Sequence, residues 1–175
     1  MNKQEIIQLM TKNHHDFIEM IRNLSDDEAS YAPPEKWNAV QQLDHIIKSV
    51  SPVNMAFGLP KFLVKWKFGI ANRPSKSYSE LVDKYNLKLS AGGKASSPFV
   101  PADSNPFNKE TQFNRLNGLV IQLNQKTAKH TEESLDKYIL PHPLLGKLTF
   151  REMLYFTACH VAHHQKLIEK ALLAR

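Results

Sequence analysis

Two histidines one helical turn apart are the residues of this chain best placed to do chemistry. They are His160 and His164, in the run Cys159-His160-Val161-Ala162-His163-His164-Gln165. A helix puts both imidazoles on one face, and two neutral imidazoles aimed at one point are half of a transition-metal site. A third ligand from elsewhere leaves a coordination position open, which separates a metal that does chemistry from one that only holds a fold. At about 100° per residue, Met153, Thr157, His160, His164, Ile168 and Ala171 share a face, with Phe150, Leu154 and Val161 at its side. That face is apolar, so both histidines are expected inside. A buried imidazole needs a partner, and a metal serves several at once. Val161 follows His160, so this is not the His-Glu-x-x-His of a zinc peptidase and the helix brings no carboxylate base with it.

The third ligand has to come from another helix. His45, in Trp37-Asn38-Ala39-Val40-Gln41-Gln42-Leu43-Asp44-His45-Ile46, is the first candidate. Periodicity opposes it: Leu43, Ile47, Val50 and Asn54 form an apolar stripe, and His45 projects about 160° from its centre, beside Asn38, Gln41, Gln42 and Ser49. His14 is the second candidate, because it lies on the apolar face of the first helix. His163 falls on the flank of the last helix and reads as a surface residue. His15, His130 and His142 read as surface or loop residues, which completes the 8 histidines of the chain. Cys159 lies off the histidine face and reads as a small apolar filler.

Four long helical segments must position these groups. The first spans about residues 2–24, with Ile7, Met10, His14, Phe17, Ile21 and Leu24 at helical spacing. The second opens at Asn38, with Gln41 in the capping-box position, and runs to about Phe57; Pro52 inside it predicts a kink. The third covers about Phe107 to Asp136, with Phe113, Leu116, Val120, Leu123 and Thr127 on one face. The fourth starts after the capping box of Thr149 and Glu152 and continues to the C-terminus. Between the second and third lies a long crossover. It contains a short amphipathic piece from Pro60 to Phe68, a helix from Ser77 to Leu89 capped by Ser77 and Glu80, and a Pro/Ser-rich loop through Pro98, Pro101 and Pro106. No run reads as a strand, and the segment with Pro141 and Pro143 reads as a loop. The expectation is an all-α four-helix bundle with a long crossover carrying short extra helices, forming a single domain over 1–175.

Composition limits the function classes. A hydrophobic fraction of 42% and a charged fraction of 23% describe an ordinary globular chain. The net charge of +6 comes from scattered basic residues, so nucleic acid is not the expected partner. The densest group, Lys61, Lys65, Lys67, Arg73 and Lys76, reads as a solvated face, with acidic small molecules as the alternative. No apolar run is long enough to span a bilayer, so no membrane partner is expected. The N-terminal residues lack a signal-peptide core, and one cysteine excludes an intrachain disulfide, so the expected location is cytoplasmic.

Trp37-Asn38 followed by Leu43-Asp44-His45-Ile46 resembles the second-helix signature of the DinB/YfiT-like proteins, Trp-Ser/Thr followed by His-Leu. His160-Val161-Ala162-His163-His164-Gln165 is similar to their last-helix motif, His-x-x-His-His-x-x-Gln, and the lead-in from His142 to Thr149 also resembles that group. The resemblance runs in order along nearly the whole chain. It implies a DinB-type bundle with a divalent transition metal, zinc or nickel, on His45, His160 and His164, so it favours His45 where periodicity does not. Asn38 replaces the usual Ser or Thr. The glutamine follows the histidine pair immediately, as Gln165, with Lys166-Leu167 in the usual place. Members include transferases and isomerases that use low-molecular-weight thiols, proteins labelled metal-dependent hydrolases, and stress-associated proteins; members are often dimers through bundle faces, so the resemblance implies a homodimer. The implied function is a metal-dependent hydrolase or thiol-dependent S-transferase acting on a small molecule. The alternative is a non-catalytic metal-binding or interaction module.

Overall fold

The computed structural model describes residues 1–102 and 109–175. Its long helices are α1 (Lys3–Arg22), α3 (Ala39–Phe57), α6 (Lys109–Ala128) and α8 (Phe150–Leu173), and shorter ones are α2 (Asp26–Ser30), α4 (Lys61–Phe68), α5 (Tyr78–Ser90) and α7 (Glu132–Lys137). The expected start of the third helix at Phe107, and Pro106 before it, lie outside the described residues. Each of α1, α3, α5 and α8 opens on a reciprocal capping box: Asn2 with Glu5, Asn38 with Gln41, Ser77 with Glu80, Thr149 with Glu152. These polar pairs satisfy the first free N–H groups and set where each helix begins.

The long helices close into a ring. α1 packs on α6 and α8, and α3 packs on α6 and α8. The predicted faces are the packed ones: Phe113, Leu116, Val120, Leu123 and Thr127 of α6 are all buried, as are Leu43, Ile47, Val50 and Asn54 of α3. On α1 the inward residue of the first turn is Ile6, with Ile7 only half-buried. The all-α four-helix architecture stands as expected. The α3–α8 contact brings the second-helix histidine toward the last-helix pair.

Four local expectations change. The segment after α1 winds into α2, because Ser25 and Glu28 cap it reciprocally. The third helix does not reach Asp136; it stops at Ala128, and Thr131 starts α7 by accepting the Ser134 N–H. The break lets His130 turn inward between Phe57 and Phe150, where it meets the Ser134 hydroxyl and the Phe57 carbonyl, so it is not a surface residue. The segment read as a loop is a hairpin of β1 (Ile139–His142) and β2 (Gly146–Thr149), antiparallel, with Leu140 opposite Leu148. Strands of four residues are too short for an alternating pattern to stand out, and Gly146 supplies the positive φ of 76° its turn requires. Pro52 remains within α3.

Parts of the crossover pack on the bundle. α5 buries Leu81 and Tyr85 against α8, α4 buries Val64 near β1, and a 3-10 turn at Ser97–Phe99 packs on α3. Gly93 allows the chain to pass here, because a Cβ on it would lie 2.7 Å from the Lys88 carbonyl and 2.8 Å from Leu144. Arg73 is also structural: it grips the fully buried Glu152 carboxylate through two contacts of 2.6 and 2.8 Å. That pairing, with backbone N–H groups of Lys76 and Thr149, outweighs burial and holds the Glu152 carboxyl below its ordinary range. Lys61, Lys65 and Lys67 are exposed, as a solvated face would be. Among the described residues no helix is long and apolar enough to cross a membrane.

Candidate metal centre

His45, His160 and His164 meet at the α3–α8 contact, and each is buried, with 4%, 6% and 5% exposure. The His160 Nε2 lies 3.1 Å from the His45 Nε2 and 3.0 Å from the His164 Nε2. Imidazoles bound to one ion through bonds of about 2.0–2.1 Å place their nitrogens roughly 2.9–3.4 Å apart at octahedral or tetrahedral angles. The observed spacing falls in that range.

Hydrogen bonding on the far side of two rings fixes which nitrogen carries the lone pair. The His45 Nδ1 donates to the Phe99 carbonyl at 2.6 Å, and the His164 Nδ1 donates to the Gln42 Oε1 at 2.8 Å. Both rings therefore present bare Nε2 atoms to His160. Even if the His160 Nε2 carries a proton, it satisfies only one of them. The cluster thus has more lone pairs than protons at its centre, and a cation resolves that mismatch. Burial lowers the pKa of all three; for His160 and His164 it falls well below the usual value, with repulsion from neighbouring imidazoles adding to burial there. The rings are neutral at neutral pH, the state a metal needs. The residues present fit a divalent transition ion.

The outward reading of His45 fails for a definite reason. The side of α3 that carries His45 and Gln42 is covered by Trp37 and by the 3-10 turn. The Trp37 ring lies 5.0 Å from that of His45 and stacks on His164 at 6.4 Å. The turn is pinned by Lys48 Nζ on the Val100 carbonyl, and Ala102 N–H donates to Asp44. Periodicity finds one buried stripe, whereas α3 has two buried sides.

Other histidines separate cleanly. His14 is buried on α1, donates from Nδ1 to the Met10 carbonyl, and does not join the cluster. His163 is half-buried rather than on the surface, with its ring 5.6 Å from Tyr85 and 5.3 Å from His164. His142, read as a loop residue, ends β1 with its ring 4.2 Å from Phe156. Gln165 donates to Glu169, away from the cluster. Cys159 is buried, and burial pushes its thiol up to about 12, so it is an inert filler as expected.

The cluster faces a cavity of 350 Å³. His45, His160, His163 and His164 are among its lining residues, α5 contributes Tyr85, and the hairpin contributes His142. No aspartate or glutamate lines it among the described residues, and Lys94 is its one lysine or arginine. Lys61, Lys65, Lys67 and Arg73 do not reach it, so they are not placed to hold an acidic ligand there. Gln42, Tyr85 and His142 were not singled out by spacing. The available signal for Gln42 was its position one turn before His45, on the same side of α3. The Phe99 carbonyl has no sequence signal, because any residue supplies one.

A sequence profile of the DinB superfamily matches residues 9–168. The match covers nearly the whole chain, including all three clustered histidines, and the chain belongs to that superfamily. No curated protein matches it.

Proposed function

We propose that this DinB-superfamily chain is a divalent-metal-dependent enzyme acting on a small molecule, with His45, His160 and His164 as the ligands. The observation that carries the reading is the convergence of three neutral Nε2 atoms on one point beside a cavity of 350 Å³. Three ligands leave room for substrate, unlike the four of a structural zinc site. An ion bound there supplies Lewis acidity and lowers the proton affinity of a small nucleophile, water for hydrolysis or a thiol for S-transfer. The protein's own residues do the rest. Gln42 and the Phe99 carbonyl hold two rings in the ligating tautomer. Trp37 and Phe156 wall the cluster from solvent. The inert Cys159 makes any thiol a cosubstrate.

The supporting experiment is metal analysis of untagged protein, followed by screens against esters and against thiol-plus-electrophile pairs. The expected result is about one zinc or nickel ion per chain and turnover in one screen, both lost in His164→Ala. Metal-replete protein silent in both screens rejects the enzyme reading. A second reading, a non-catalytic interaction module, draws on α4, where Phe62 and Trp66 are exposed beside Lys61 and Lys65. It predicts that His164→Ala lowers the melting temperature sharply while the metal-replete protein turns over nothing.

A further inference from the structure

Tyr85 and His142 line the cavity outside the three-histidine cluster, and each offers a donor with no acceptor among the described residues. Tyr85 is only 5% exposed, packs edge-on against Phe156 and His160, and lines the cavity. Its hydroxyl makes no hydrogen bond among the described residues and is not sealed off in the core, so it is free to donate to a bound molecule. His142 lines the same cavity, with its ring edge-on to Phe156 at 4.2 Å. Its Nδ1 accepts two backbone N–H groups, from Leu144 and Leu145, each at 3.1 Å. A nitrogen that accepts must carry a lone pair, so the ring is neutral and its proton sits on Nε2. That Nε2–H also lacks a partner among the described residues. The hairpin turn that supplies the two backbone donors holds the ring in place.

The rest of the lining is mostly aliphatic and aromatic; among the described residues it holds no carboxylate, and its single lysine, Lys94, is exposed. A ligand carrying several charges would lose water there without a compensating partner. The volume lies at the small end of the range for small-molecule sites.

We propose that the cavity takes a small, largely apolar molecule with an oxygen acceptor and no charge beyond the atom offered to the three histidines, and that the Tyr85 hydroxyl and the His142 Nε2–H are the donors that select and orient it. This rests on the reading of the cavity as the substrate site, and it assigns Tyr85 and His142 as positioning residues.

The test is NMR titration of metal-free and zinc-loaded protein with benzamide (a neutral acceptor), toluene (no acceptor) and phthalate (two carboxylates). The parent should bind benzamide more tightly than either of the others in both forms. Tyr85→Phe removes only the hydroxyl. His142→Asn keeps an acceptor for the turn's backbone N–H groups but loses the Nε2–H. Each should weaken benzamide by about three- to tenfold, the size of one hydrogen bond, and leave toluene binding and melting temperature unmoved. Phthalate binding as tightly as benzamide overturns the inference, as does an unchanged benzamide affinity in both variants or no benzamide binding at all. If benzamide behaves as expected but zinc does not bind, the metal reading fails and the cavity assignment stands.

Discussion

Replacing Gln42 isolates the support behind a single ligand. The Gln42 Oε1 accepts the Nδ1 proton of His164 at 2.8 Å, and its Nε2 donates to the Trp37 carbonyl at 3.2 Å. Gln42→Met keeps the side chain's length and leaves the buried Nδ1–H unsatisfied, at about 1–3 kcal/mol. The ring can escape that penalty by moving its proton to Nε2, which then no longer ligates. Metal affinity should therefore fall by roughly 10–100-fold, the range seen when such outer partners are lost. In free energy that is about 1.4–2.7 kcal/mol, inside the range for the lost hydrogen bond. Gln42→Glu separates the two contacts, since it keeps the acceptor for His164 while giving up the bond to Trp37. Competition titration against a chelating dye measures both variants. Gln42→Met within threefold of the parent, or the two variants equally impaired, would refute the reasoning.

Further predictions concern stability and reactivity. Burial lowers the His14 pKa from 6.5 to about 4. The unfolded chain therefore takes up a proton as pH falls through 6.5, while the folded chain refuses it until about 4, so folded stability is present above 6.5 and declines across that window. The loss reaches roughly 3 kcal/mol, and His14→Leu should flatten the acid side of a denaturant-midpoint profile; an unchanged slope would count against a buried neutral His14. Glu152 has no exposure and holds Arg73, Lys76 and Thr149, so Glu152→Ala should cost about 2 kcal/mol or more in chemical unfolding. A cost below half that would mean the pairing is replaceable by water. Iodoacetamide should modify Cys159 slowly in the native protein and quickly after denaturation, because the thiolate is scarce and covered. Comparable rates in both states would mean the α8 core opens.

The bundle was legible because α1, α3 and α6 carry an apolar stripe and because α3 and α8 open on capping boxes. Phe113 to Thr127 and the Asn38–Gln41 start lie where spacing puts them. α8 was legible at its start, yet it is buried on every side from Phe150 to Val161, so its periodicity understates how central it is. The histidine pair was readable from spacing and burial. His45 was not, because its cover comes from Trp37 and from the crossover, and no local pattern in α3 records what a distant segment will pack on it. The same cause hides the rest of the cavity. Tyr85 comes from α5, His142 from a hairpin of four-residue strands, and the Phe99 carbonyl from backbone alone. The segment with the weakest regularity supplies much of the cavity lining beside the three histidines.

The central claim is that His45, His160 and His164 jointly hold one divalent ion. An anomalous-difference map from crystals grown with zinc, collected on both sides of the zinc edge, tests it most directly. The account predicts one strong peak within about 2.0–2.1 Å of the three Nε2 atoms, with its open side toward the cavity. No peak there, or a peak on His160 and His164 with His45 turned away, would contradict it.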